Sequence, residues 1–191
     1  MTKSAFTKSF TQQEAIPEAG IERAVEVMRG GRLHRYNTLA GETAEAALLE
    51  QEYAAYMGQR YCLACTSGGY ALHIALKAAG IEPGEPVLSN AFTLAPVPGA
   101  IDNAGGKPVL VEIDPDYCVD LAHLEAMMQQ SKARFFMISH MRGHLADMDA
   151  VLALCQRYQV TQVVGHQERF PVASGSVPAG VVTVLRSDAM R

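Results

Sequence analysis

The chain has no basic run. Its 16 Lys and Arg are scattered over 191 residues, against 20 Asp and Glu, for a formal net charge of −4. Nucleic acid and anionic membrane surfaces both need clustered cations, so neither is expected as a partner. No apolar stretch is long enough to span a bilayer. Met1 to Gly20 is largely polar, with isolated Phe6 and Phe10, and lacks the apolar block of a signal peptide, so a cytoplasmic location is expected. Four cysteines are too few for a disulfide framework in a chain of this size. Lysine is scarce as well. Lys3, Lys8, Lys77, Lys107 and Lys132 are the only ones, and none follows Lys132.

Several motifs are missing or incomplete. Cys62 and Cys65 form a C-x-x-C, which invites a redox or a zinc reading. A thioredoxin-like pair starts a helix, whereas Arg60 to Cys65 has the composition of a strand, in which this spacing puts the two thiols on opposite faces. A zinc site needs a second ligand pair, and Cys118 and Cys155 stand alone. All four are therefore expected to be buried structural cysteines. No G-x-G-x-x-G occurs, which leaves a dinucleotide site unsupported. Gly105-Gly106-Lys107-Pro108 fails as a phosphate loop. Proline stands where Ser or Thr is needed, Ile101 stands where the first glycine belongs, and a strand follows rather than a helix. Lys107 is better explained as a solvated cation at a helix C-terminus. His140 and His144 lie in a loop without an H-E-x-x-H, and they are expected as polar residues at a strand end rather than metal ligands.

What the chain does have is alternation. Hydrophobic residues make up 49% of it, which suits a globular domain with a real core. Pro17 to Arg29 and Gly41 to Met57 read as two helices, stopped by Gly30-Gly31 and by Gly58. Then five strand-like runs follow, at 60–65, 85–89, 108–113, 134–139 and 160–164. Helical stretches separate them: 69–79, one stopped by Gly105-Gly106, 120–130 with Asp120 as N-cap, and 147–158. Pro96 and Pro98 sit awkwardly in the second of these. Strand–helix repeats with near-continuously apolar strands predict an α/β fold, a mostly parallel sheet with helices on both faces. Ligands of such sheets bind beyond the carboxyl ends of the strands. Ser67-Gly68-Gly69, Asn90 to Thr93 and Ser139 to Gly143 all fall at such ends and are expected to converge. On spacing alone, Ser67-Gly68-Gly69 is either a phosphate-holding turn or a tight turn with Ser67 as helix cap. From Gly165 to Arg191 the rhythm stops. Only Val181 to Leu185 looks like a strand there, as an edge strand in an otherwise irregular or disordered tail.

Several stretches, in this order and at this spacing, resemble one family. Glu50-Gln51-Glu52-Tyr53 through Met57-Gly58 is similar to its helix before the first sheet strand. Cys65-Thr66-Ser67-Gly68-Gly69-Tyr70-Ala71-Leu72-His73 is similar to its Ser-Gly-Thr phosphate turn. Asn90-Ala91-Phe92-Thr93, Gly106-Lys107-Pro108-Val109, Val111-Glu112-Ile113-Asp114 and Gly143-His144-Leu145-Ala146-Asp147-Met148-Asp149-Ala150 complete the match. From about Arg32 to Val164 the chain resembles the DegT/DnrJ/StrS-type sugar aminotransferases, fold-type I enzymes that use pyridoxal 5′-phosphate (PLP). The resemblance implies an N-terminal arm and helix over 1–40, an incomplete α/β large domain over 41–164 and a non-matching tail over 165–191.

The family moves an amino group, usually from glutamate, onto a keto-sugar nucleotide, with PLP as electron sink. The resemblance implies that Ser67, Gly68 and Gly69 hold the cofactor phosphate, although the family usually has Thr where Gly69 stands. It also implies that Leu94 covers the pyridine ring, at a position that is commonly aromatic. The family's fifth strand ends in an acidic pair whose Asp meets the pyridine nitrogen. Here Val163-Val164 leads to Gly165-His166. The Schiff-base lysine lies further on and has no counterpart among the five lysines, so no catalytic residue is assigned. The expectation is the N-terminal portion of a polysaccharide- or sugar-biosynthesis aminotransferase, cut short before that lysine and inactive alone. The alternatives are a non-catalytic module binding PLP or a sugar nucleotide, and one half of a split enzyme. The family's homodimer is the assembly the resemblance implies.

Overall fold

The computed structural model describes residues 15–36, 38–166, 170–172, 175–177 and 181–185. Residues 1–14, 37, 167–169, 173–174, 178–180 and 186–191, which include parts of the expected arm and tail, lie outside the described residues. The chain forms two compact units, residues 1–64 and 65–191.

The first unit holds α1 (Glu18–Gly30) and α2 (Glu45–Tyr56). Pro17 precedes the first turn of α1, where its missing N–H costs nothing. Gly31, at φ 69°, ends the helix in the left-handed conformation that glycine adopts without strain. Arg23 pairs with Glu45, Arg32 with Glu42 and Arg35 with Glu50. Glu50 also accepts the N–H of Ala64 at 2.8 Å. That bond, then the Arg35 guanidinium, hold its carboxyl below the usual carboxylate range.

Arg60 to Cys65, expected as the first strand, belongs to no sheet among the described residues. Tyr61 and Leu63 are 77% and 58% exposed. A strand is defined by the neighbour whose N–H and C=O groups it pairs with, and composition supplies no neighbour. The burial expected for the cysteines fails with it. Cys62, Cys65 and Cys118 are half-buried, and Cys155 alone is in the core, where burial pushes its thiol up to about 12.

In the second unit, β1 (Pro86–Asn90), β2 (Lys107–Val111), β3 (Phe135–Ser139) and β4 (Thr161–His166) run parallel. The sheet order is β2-β1-β3-β4-β7, with β7 (Val181–Leu185) antiparallel to β4 at the edge. A separate hairpin pairs β5 (Phe170–Val172) with β6 (Gly175–Val177). Four helices cover the sheet: α3 (Gly68–Ala79) leads into β1, and α4 (Pro96–Asn103), α5 (Leu121–Ser131) and α6 (Met148–Tyr158) connect the successive parallel strands. Leu72, Leu76, Val97 and Ile101 of α3 and α4 pack with Val87, Phe135 and Met137 on one face. Leu124, Met128, Val151 and Leu154 of α5 and α6 pack with Leu88, Phe136 and Ile138 on the other. This is the α/β architecture the alternation predicts, with both faces covered.

The prolines find places that cost little. Pro96 and Pro98 both lie in the first turn of α4, whose N–H groups have no intrahelical acceptor. Pro108 lies in β2, an edge strand, where one side of the ladder is unpaired anyway. Asp120 and Asp147 cap α5 and α6, accepting the N–H of His123 at 2.9 Å and of Ala150 at 3.0 Å.

At the amino edge of the sheet, Arg134 donates to Glu85 through Nε (2.6 Å) and Nη2 (2.9 Å), and Nη2 also reaches the Gly80 carbonyl. Burial opposes ionisation of Glu85. The bonds from Arg134 and from the Glu82 N–H outweigh it and hold the carboxyl below its usual range. The folded pKa is the lower one. The stabilisation is therefore present above the ordinary carboxylate pKa and is lost as pH falls through the folded value. Arg134 is half-exposed, which screens the pair. Glu85→Gln is expected to cost about 1 kcal/mol at pH 7 and to flatten the acid limb of stability below about pH 4.5. Urea midpoints across pH 3–7 check this, and parallel wild-type and variant curves would contradict it.

Candidate functional site

The site lies at the carboxyl edge of the sheet. Chain order runs from β1 out to β2 and then back past β1 to β3, so the crossover direction reverses between β1 and β3. Open α/β sheets leave a crevice at such a switch point, because the connections on either side depart in opposite directions.

Helix α3 points its N-terminus toward this edge. Ser67 has extended backbone (φ −161°, ψ 159°), its Oγ accepts the N–H of Tyr70 at 3.2 Å, and its carbonyl accepts Ala71 N–H at 2.9 Å. That leaves the N–H groups of Gly68 and Gly69 as first-turn donors with no acceptor inside the helix. The first turn of α3 carries no acidic residue. Helices α5 and α6 begin on Asp120 and Asp147, which place a carboxylate at their own positive ends. Two outward amides, a hydroxyl and an unneutralised helix terminus form a donor set that fits a phosphate group.

The start of α4 stands beside this turn. A Cβ on Gly69 would lie 3.7 Å from Pro96 Cβ. Leu94, two residues before Pro96, is 46% exposed and offers an apolar surface at the mouth. Ser67, Gly68 and Gly69 thus lie close to the segment that carries Leu94. Asn90 and Thr93, from the end of β1 and the loop after it, are bonded through their side chains to Ser139 at the end of β3. The loops after β1 and β3 thus meet at this edge, and the Ser67 turn, which follows no strand among the described residues, adjoins the start of α4. His140, expected as a loop residue, is buried at the end of β3, followed by a 3-10 turn, Met141–Gly143.

One feature went unread in the sequence. Phe92, Tyr117 and His144 come from the loops after β1, β2 and β3, and their rings meet at centroid distances of 5.1 Å (Phe92–Tyr117) and 5.6 Å (Tyr117–His144). Tyr117 adopts φ 62° to reach its place. The available signal was one aromatic or His in each of three successive strand-end loops.

Lysine is absent from this edge among the described residues. Lys77 is in the last turn of α3, Lys107 opens β2 and Lys132 follows α5. All three belong to the amino edge of the sheet. Lys77 lies about 14 Å along α3 from Gly68 at the usual rise per residue. Lys3 and Lys8 lie outside the described residues. Among the described residues, the parallel strand β4 ends in Gly165-His166 and brings no carboxylate to that edge. The residues present therefore fit the phosphate and one face of a planar cofactor ring. They include no partner for the ring nitrogen at β4.

Residues 15–164 match the DegT/DnrJ/EryC1/StrS aminotransferase family. A pleiotropic regulatory protein of Geobacillus stearothermophilus is 38% identical over 134 residues, covering 70% of this chain and 34% of that protein. A GDP-perosamine synthase of Caulobacter vibrioides is 35% identical over 112 residues, covering 58% of this chain and 30% of that protein. The chain thus spans about a third of the length of the curated relatives it matches. Among solved structures, an aminotransferase from Psychrobacter cryohalolentis superposes with a TM-score of 0.70 at 20% identity, covering 83% of this chain and 38% of that one. NtdA from Bacillus subtilis, with its cofactor PMP (pyridoxamine 5′-phosphate) bound, gives a TM-score of 0.66 at 25% identity, covering 76% and 32%. Among the described residues, no helix is long and apolar enough to cross a membrane.

Proposed function

This chain belongs to the DegT/DnrJ/EryC1/StrS aminotransferase family, and we propose that it supplies the phosphate-holding portion of a PLP-dependent sugar aminotransferase site. The observation that carries this is the start of α3. Its two free glycine amides and Ser67 stand at a helix terminus with no acid of its own, at the switch point of the sheet. In this reading Ser67, Gly68 and Gly69 bind the phosphate, and Leu94 covers one face of the ring and keeps water from it. When bound, the cofactor supplies an electron sink for moving an amino group. The substrate class is a keto sugar carried on a nucleotide, with a small amino donor. The three described lysines sit at the opposite edge, so this chain holds the cofactor without a covalent bond and does not transfer an amino group by itself.

PMP is the right probe, because it has the phosphate and ring but no aldehyde to label surface lysines. Calorimetry should show PMP binding, with pyridoxamine, which lacks the phosphate, at least about tenfold weaker. Gly68→Asp should weaken PMP binding by about tenfold or more, since a carboxylate then occupies the anion's place. A Cβ at Gly68 meets nothing within 4 Å, and an acid suits a helix start, so the variant should fold. Equal affinity for PMP and pyridoxamine, or an unchanged Gly68→Asp variant, would sink the reading.

A further inference from the structure

We propose that Asn90 is a positioning residue that acts as a substitute peptide unit, closing the gap between β1 and β3 and fixing the segment that presents Leu94. This rests on the function proposed above. The β1–β3 ladder pairs Val87 with Phe135, Leu88 with Phe136 and Ser89 with Met137, and there it ends. On their other sides both strands continue. Asn90 still pairs with Val111, and Ser139 with Gly165. The two central strands therefore separate before their outer pairings end, at the point where the crossover direction reverses.

Asn90 is buried, and its carboxamide fills that gap. Oδ1 accepts the Ser139 N–H at 2.9 Å and Nδ2 donates to the Ser139 carbonyl at 3.1 Å, the same pair of bonds a strand neighbour would make. The second Nδ2 hydrogen reaches the Phe92 carbonyl at 2.7 Å. Ser139 Oγ in turn bonds Thr93 Oγ1. The loop after β1 is tied to β2 by a backbone bond, Ala91 N–H to the Val111 carbonyl. Asn90 and Thr93 tie it to β3. These bonds set where Phe92 and Thr93 sit, and so where the next residue, Leu94, meets a ligand. The phosphate turn at Ser67 makes none of them.

The chemistry singles out asparagine. Asp would turn a carboxylate toward two carbonyl oxygens, and Ala would leave the buried N–H and C=O of Ser139 unpaired. A role in positioning Leu94 predicts a change in selectivity, not a general loss. Asn90→Ala should weaken PMP by about tenfold while inorganic phosphate, read by phosphorus NMR titration, stays within about twofold. Thr93→Val, nearly isosteric, removes only the hydroxyl bond. It should shift PMP in the same direction by about threefold, and it covers the case in which Asn90→Ala does not fold. Amide exchange at Ser139 should be protected in the wild type and fast in Asn90→Ala. Equal losses of PMP and phosphate would make Asn90 merely structural and overturn the proposal. So would unchanged PMP affinity in both variants, or a Ser139 amide still protected in Asn90→Ala. Wild-type chain that fails to bind PMP would instead bring down the proposed function, and the Asn90 role with it.

Discussion

Gly106→Val is expected to destabilise the protein by about 3 kcal/mol, read as a lowered urea midpoint at unchanged slope. The backbone of Gly106 is not in the left-handed region, so the cost is one of space. A Cβ there would stand 2.6 Å from Ile81 Cδ1, 3.2 Å from Ile101 Cγ2 and 3.2 Å from the Glu85 carbonyl oxygen. The first contact is the end of a side chain, but that side chain is buried and has little room to turn. The third is backbone, and it is held in place by accepting the Lys107 N–H at 2.7 Å. Two further methyl groups on a β-branched side chain meet the same wall. Ile81 and Ile101 belong to the core beneath α3 and α4, so the strain reaches the helices whose starts form the site. A midpoint within about 0.5 kcal/mol of wild type would show that this corner is looser than the distances imply.

Gly106 also shows where the sequence could be misread. In sequence, Gly105-Gly106-Lys107 invites comparison with a phosphate loop and fails it. The structure gives each glycine a separate steric duty: Gly105 takes φ 91°, and Gly106 lets β2 approach Ile81. Local signals were read well. Ser67 and Asp120 are helix caps, the four strands from β1 to β4 fall within a residue or two of their predicted runs, and Val181 to Leu185 is a strand. Non-local facts were not. Arg60 to Cys65 has a strand's composition, but pairing depends on residues far along the chain. Val181 to Leu185 gave no sign that it would run antiparallel to β4. At the site, the small-residue turn was visible because helix capping is local. Asn90 passed for the opening of a loop, because its bonds go to Ser139, 49 residues away. The ring cluster of Phe92, Tyr117 and His144 was hidden for the same reason.

Gln162→Met is expected to stabilise the protein by about 2 kcal/mol. Gln162 is 1% exposed, and among the described residues neither Nε2 nor Oε1 has a hydrogen-bond partner. It lies in β4 in register with Phe136, and residues in register on neighbouring strands share a face, so its amide enters the apolar core under α5 and α6. The backbone of β4 already pairs with β3 on one side and β7 on the other, so the flanking strands' ladder groups are engaged with β4 itself. Desolvating an amide without a partner costs about 1–3 kcal/mol, and a thioether of similar length removes that cost without opening a cavity. Thermal and urea unfolding read the gain. A loss of stability would mean that the amide is satisfied by an internal water or a partner group. The side chain is in the core behind the crevice, so PMP affinity should stay within about twofold. A stabilised chain that also lost PMP would tie β4 to the cofactor site more closely than the positions of Ser67, Gly68, Gly69 and Leu94 imply.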